Sequence, residues 1–121
     1  MNNRLAQVKL VLAVAVFCMG TGGARAASAA DAAFEKLAHD CIEDLLRSRP
    51  EQATQLGDHR YDDRLTDYSP AALAARAEAL RGQIAALAKI DAAALTGANR
   101  VDAQILKGEL DAMLFTIVEE Q

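Results

Sequence analysis

The first apolar feature of the chain is an unbroken run, Leu10 to Met19, with no charge inside it. As a helix at about 1.5 Å per residue it reaches roughly 15 Å, half the hydrocarbon thickness of a bilayer, which is too short for a membrane span. From Asp31 the pattern changes. Phe34, Leu37, Ala38, Cys41, Ile42, Leu45 and Leu46 alternate steps of three and one, the broad stripe of an amphipathic helix. Asp31 is placed to cap its start, Glu43 and Arg47 are expected to pair across one turn, and Pro50 ends it near Ser48. A short helix, Glu51 to Leu56, follows, with Gly57 to close it.

Between Gly57 and Tyr68 the periodicity vanishes (GDHRYDDRLTDY). An ordered loop is expected there, pinned to the bundle by Tyr61, Leu65 and Tyr68. Ser69-Pro70 then reads as a helix start, an N-cap followed by proline at the first position. Leu73, Ala77, Leu80, Ile84 and Leu87 recur in steps of four and three, the narrow seam of an antiparallel helix pair, running to about Ile90. Asp91 is placed to cap one further turn, and Thr96-Gly97 marks a break. The last helix, from about Ala98, carries Val101, Ile105, Leu106, Leu110, Met113, Leu114, Phe115, Ile117 and Val118. Beyond Leu110 these cover nearly every side, and a helix apolar all round needs neighbours all round. No stretch alternates with period two. The expectation is an all-α segment of three to four antiparallel helices.

The region before Asp31 differs in kind. Arg4 and Lys9 make a basic start, the apolar run follows, and a small-residue stretch TGGARAASAA ends it with two A-x-A sites, Ala24-Arg25-Ala26 and Ala27-Ser28-Ala29. That order reads as a secretory signal peptide over residues 1–29, leaving a helical segment over 30–121 in the periplasm or outside the cell. Phe17 precedes Cys18 where lipidation wants a small residue, so a lipid anchor is not expected, nor any membrane attachment after cleavage. Processing removes Arg4, Lys9 and Arg25 and no acid, taking the formal charge of -4 to about -7. It also leaves Cys41 as a lone thiol without an internal disulfide partner, on an apolar face where burial is expected.

Hydrophobic residues make up 52 % of the 121 positions, but 27 of them are alanine. The larger apolar side chains suffice for one modest core and not for two domains. An acidic balance without a basic stripe excludes a nucleic-acid partner. Candidate chemistry is thin. His39 has Glu35 one turn before it, yet two ligands do not make a zinc site, and no His-Glu-x-x-His helix exists. The loop Asp58–Asp67 gathers oxygen donors, but from Asp58 the sixth position of a calcium loop is Asp63 instead of glycine and the twelfth is Ser69 instead of glutamate. Arg60 and Arg64 are expected to pair with its aspartates. The serines lack a nucleophile-elbow context and no phosphate loop appears. No catalytic, cofactor-binding or metal-binding residue is singled out in this chain.

The order of motifs is nevertheless specific. Pro50, Ala53, Thr54, Leu56 and Gly57, then Tyr61, Asp62, Asp63 and Leu65, then Ser69 and Pro70 form an ordered set, followed by Asp91 to Leu95 and by Asn99, Arg100 and Asp102. Over about residues 34–118 this resembles the start of the bacterial family catalogued as domain of unknown function 885. The resemblance implies an exported helical protein of several hundred residues, similar to metallopeptidases, with a histidine- and glutamate-bearing zinc motif far toward its C-terminus. Zinc is thus expected in full-length relatives and not in this chain. On that footing the sequence is expected to be an N-terminal fragment, whose partner is the missing C-terminal helical region or a second copy held through the last helix. The alternative is a complete small periplasmic helical bundle acting as a partner-binding module.

Overall fold

The computed structural model describes residues 28–119. The basic start, the apolar run and Cys18 lie outside the described residues, as does the Ala24–Ala26 site. Four α-helices and one 3-10 turn follow: α1 (Ala29–Ser48), α2 (Pro50–Gln55), α3 (Pro70–Ala88), the turn Ala92–Ala94, and α4 (Gly97–Glu119). The fold is all-α.

Each helix begins and ends for a local reason. Ser28, not Asp31, caps α1: its Oγ accepts from the Asp31 N–H at 3.0 Å. Asp31 returns the contact, its carboxylate accepting from the Ser28 N–H at 2.9 Å. This is a capping box, with the shorter aspartate in place of glutamate. Pro50 cannot continue α1, and it opens α2 at the first helical position. Gly57, at φ 86°, then closes α2. Its N–H reaches Thr54 O at 3.0 Å and the Asp58 N–H reaches Ala53 O at 2.9 Å, the paired bonds of a Schellman motif that needs a left-handed residue. Ser69 caps α3 through Ala72 N–H, and Asp91 caps the 3-10 turn through Ala93 N–H, both as the sequence suggests.

The three long helices run up, down and up. Leu73 and Arg76 near the start of α3 share a cleft with Thr116 and Ile117 near the end of α4. At the other end Ile84 and Leu87 share a second cleft with Ala103 and Lys107. So α3 and α4 are antiparallel. Gln83 donates to Asp44 at 3.1 Å and Arg76 to Ser48 at 2.7 Å, which sets α1 antiparallel to α3 and alongside α4. Cys41, Ala77, Leu80, Leu110 and Ile117 form the buried centre, ringed by half-buried Leu37, Leu73, Ile84, Leu87, Leu106, Met113 and Leu114. The narrow seam of α3 faces inward as its spacing predicts. Ile42, assigned to the stripe of α1, lies at its edge and is exposed, since the stripe is broader than the surface α3 and α4 present to it.

Candidate interaction surface

Two features dominate the surface, a polar joint built by the loop and a second apolar face on α4. The joint comes first in the chain. Arg60 turns its planar guanidinium to two carboxylates at once: Nη1 and Nη2 donate to Glu43 at 2.9 and 3.0 Å, and Nε and Nη2 donate to Asp58 at 2.9 and 2.6 Å. Glu43 is therefore tied to the loop, not to Arg47 as one-turn spacing suggests: the loop brings Arg60 alongside α1, where its guanidinium meets the carboxylate with two parallel charge-assisted bonds. The Arg60 hydrogen bonds hold both carboxyls below their usual range.

Thr54 bridges Pro50 O and Asp62 Oδ1 at 3.1 and 2.6 Å, and His59 Nδ1 lies 2.8 Å from the other Asp62 oxygen. Thr66 closes on Glu51 through its N–H at 3.0 Å. Tyr61 lies half-buried between the Arg60 and Arg64 guanidiniums, 5.3 and 5.6 Å from its ring centre. Leu65 and Tyr68 do not pin the loop; both are exposed. Hydrogen bonds hold it where apolar anchors were expected. Asp62 is held by Thr54 and His59, and Asp63 by Arg64.

A second polar centre escaped the sequence reading. Asp31 is 1 % exposed, and its Oδ1 accepts from Thr96 N at 2.9 Å, Thr96 Oγ1 at 3.1 Å and Asn99 Nδ2 at 2.8 Å. Asn99 also donates to Glu35 at 3.1 Å, so Glu35 turns to α4 and not to His39. Arg100 donates to the carbonyls of Ala92 and Leu95 at 3.2 and 3.0 Å, closing the link between α3 and α4. The Thr96 N–H, then the Ser28 N–H, hold the Asp31 carboxyl far below the ordinary aspartate range against the opposing cost of burial. Only the Ser28-x-x-Asp31 spacing of a capping box hinted at it, and nothing local joined Asp31 to Thr96 or Asn99.

The remaining candidates fall into plain structural places. Cys41 is buried, and burial, then the Asp44 and Asp40 charges, push its thiol pKa up, away from a reactive thiolate. His39 is exposed. Among the described residues no three histidine, cysteine, aspartate or glutamate side chains come together as a metal-holding group, and no helix is long and apolar enough to cross a membrane.

The second feature is on α4. Its core face carries Leu110 and Ile117, 1 % and 4 % exposed. On the opposite side Val101, Ile105, Gly108, Ala112 and Phe115 line up in steps of four, three, four and three, all at the surface. Val101 is 54 %, Ile105 58 % and Phe115 66 % exposed. The apolar excess thus runs along most of α4, beginning at Val101, about two and a half turns before Leu110, where the sequence pattern suggests its onset.

Residues 50–120 match the model of the family described as bacterial protein of unknown function (DUF885). The chain belongs to this family. The match begins at Pro50 and takes in the ordered set of residues on which the resemblance rests, while α1 precedes it. Within DUF885 terms those residues are joints: Pro50 and fully buried Ala53 seat α2, Thr54 and Asp62 fasten the loop, Gly57 makes the turn, and Asn99 and Arg100 lock the start of α4. No curated protein and no solved structure matches the chain.

Proposed function

We propose that this chain is the exported, non-catalytic N-terminal helical part of a DUF885 protein, a scaffold that walls the substrate cleft of a metal-dependent hydrolase acting on peptides. The zinc-binding part belongs to helices this sequence does not contain. The observation that carries the reading is the double-faced α4. One apolar side is spent on the bundle and an equally regular one stands in water, and large apolar surface in a regular array marks a place where another element packs. The joints made by the residues within the family match support it too, because they fix helix ends and close the loop.

The nucleotides downstream of the Gln121 codon test this, read in the same frame and in its neighbours. The reading expects further helical coding sequence that ends in a histidine- and glutamate-bearing zinc motif. A stop followed by unrelated sequence would favour the small periplasmic binding module instead.

A further inference from the structure

We infer that the solvent-facing seam of α4 is the docking site for a single amphipathic helix whose flanks are basic. The inference rests on the scaffold reading and adds the chemistry of the occupant. The seam, Val101 to Phe115, is about 21 Å long at about 1.5 Å per residue. Its four-and-three spacing is the ridge pattern that a second helix crosses at a shallow angle.

Charge identifies which helix. Asp102 and Glu109 immediately follow the seam residues Val101 and Gly108, so both stand on one flank, exposed and without an ion pair among the described residues. On the other flank Gln104 is neutral and Asp111 is already held by Lys107. A second copy of this chain is a poor occupant. Antiparallel, it sets Asp102 and Glu109 against themselves, like charges that select against the pair; parallel and in register, it sets Asp102 against Gly97 and Glu109 against Gln104. Neither arrangement brings a cation to the open carboxylates. A helix with lysine or arginine beside its own apolar seam satisfies both.

Gly108 suits the same occupant. Glycine in a helix interior weakens it, yet a Cβ at Gly108 meets nothing within 4 Å. Nothing in the bundle uses its bareness, whereas a helix crossing close at the middle of the seam does.

The test titrates the full chain with two synthetic peptides that share a leucine seam at four-and-three spacing, one with lysine flanks and one with glutamate flanks, read by fluorescence anisotropy at low salt. The lysine peptide is expected to bind roughly tenfold more tightly, a gap that salt narrows. Asp102→Asn with Glu109→Gln should erase the gap while leaving binding in place, and Ile105→Ser with Phe115→Ser should abolish binding of both peptides with the helical signal unchanged. Equal affinities, or a gap that survives neutralisation, overturn the basic occupant and leave the scaffold reading standing. Failure of both peptides to bind overturns the docking site itself, whatever the downstream coding sequence says.

Discussion

A carboxylate 1 % exposed to water is tolerable only when its lone pairs are used, and Asp31 uses them on Ser28, Thr96 and Asn99. The sign of its pH effect follows. The folded carboxyl titrates far below the unfolded value near 3.8, so its contribution is complete above about pH 4 and fades as the pH falls through the folded value. Thermal melts from pH 5 to pH 2 should therefore show a falling midpoint for the native chain, and Asp31→Asn should start lower and fall less steeply; parallel curves would refute the assignment. Ser28 matters for the same junction, since it caps α1 and donates to Ala94 O at 2.9 Å. If the chain is exported as proposed, cleavage after Ala29 would remove it, so the mature chain should begin at Ala27, as N-terminal sequencing or intact mass would show; a chain beginning at Ala30 contradicts this. Arg76 is the opposite case. Its Nε is buried with no acceptor, and burial, then the nearby Arg49 charge, pull its pKa below the ordinary value. Replacing it with methionine gives up one bond to Ser48 and relieves the orphaned donor, so Arg76→Met should change stability by no more than about 1 kcal/mol in denaturant unfolding.

At the scale of elements, helix ends were the most legible part of the sequence because their causes are local. Pro50, Gly57, Ser69-Pro70 and Asp91 each act within a turn of where they stand, and the boundaries they set fall within about two residues of their expected places; the start of α1 lies further off, capped by Ser28 where Asp31 was expected. Long-range polar choices were not legible. Whether Glu43 pairs with Arg47 or Arg60, and whether Glu35 turns to His39 or Asn99, depends on which helices lie alongside, and spacing along one helix says nothing of that. The loop was expected to be held by Leu65 and Tyr68 for a related reason, since apolar residues in a polar stretch read as anchors when the bundle's surface is unknown. The second face of α4 was visible as an apolar excess, but its start at Val101 became clear only once Leu110 and Ile117 defined the inner side. Gly108→Ala measures that face directly. In this chain it should stabilise α4 by about 1 kcal/mol, because the added methyl meets only water; a loss of stability would mean that something already lies against it.

For the whole molecule, the balance between the two faces of α4 decides what kind of protein this is. The inner face closes a small core in which alanine and cysteine take places that larger side chains hold elsewhere, so its few large residues matter individually. Leu110, at the centre and 1 % exposed, should cost about 2–5 kcal/mol as Leu110→Ala, enough to consume much of the stability of a domain this size. The outer face should cost nothing. The most direct check is therefore the unfolding free energy of the full chain carrying Ile105→Ser and Phe115→Ser, measured beside its binding of a dye that reports exposed apolar surface. The account predicts a stability within about 0.5 kcal/mol of the native chain and a clear drop in dye binding. A loss of several kcal/mol, with dye binding unchanged, would place that face inside the fold and contradict the account.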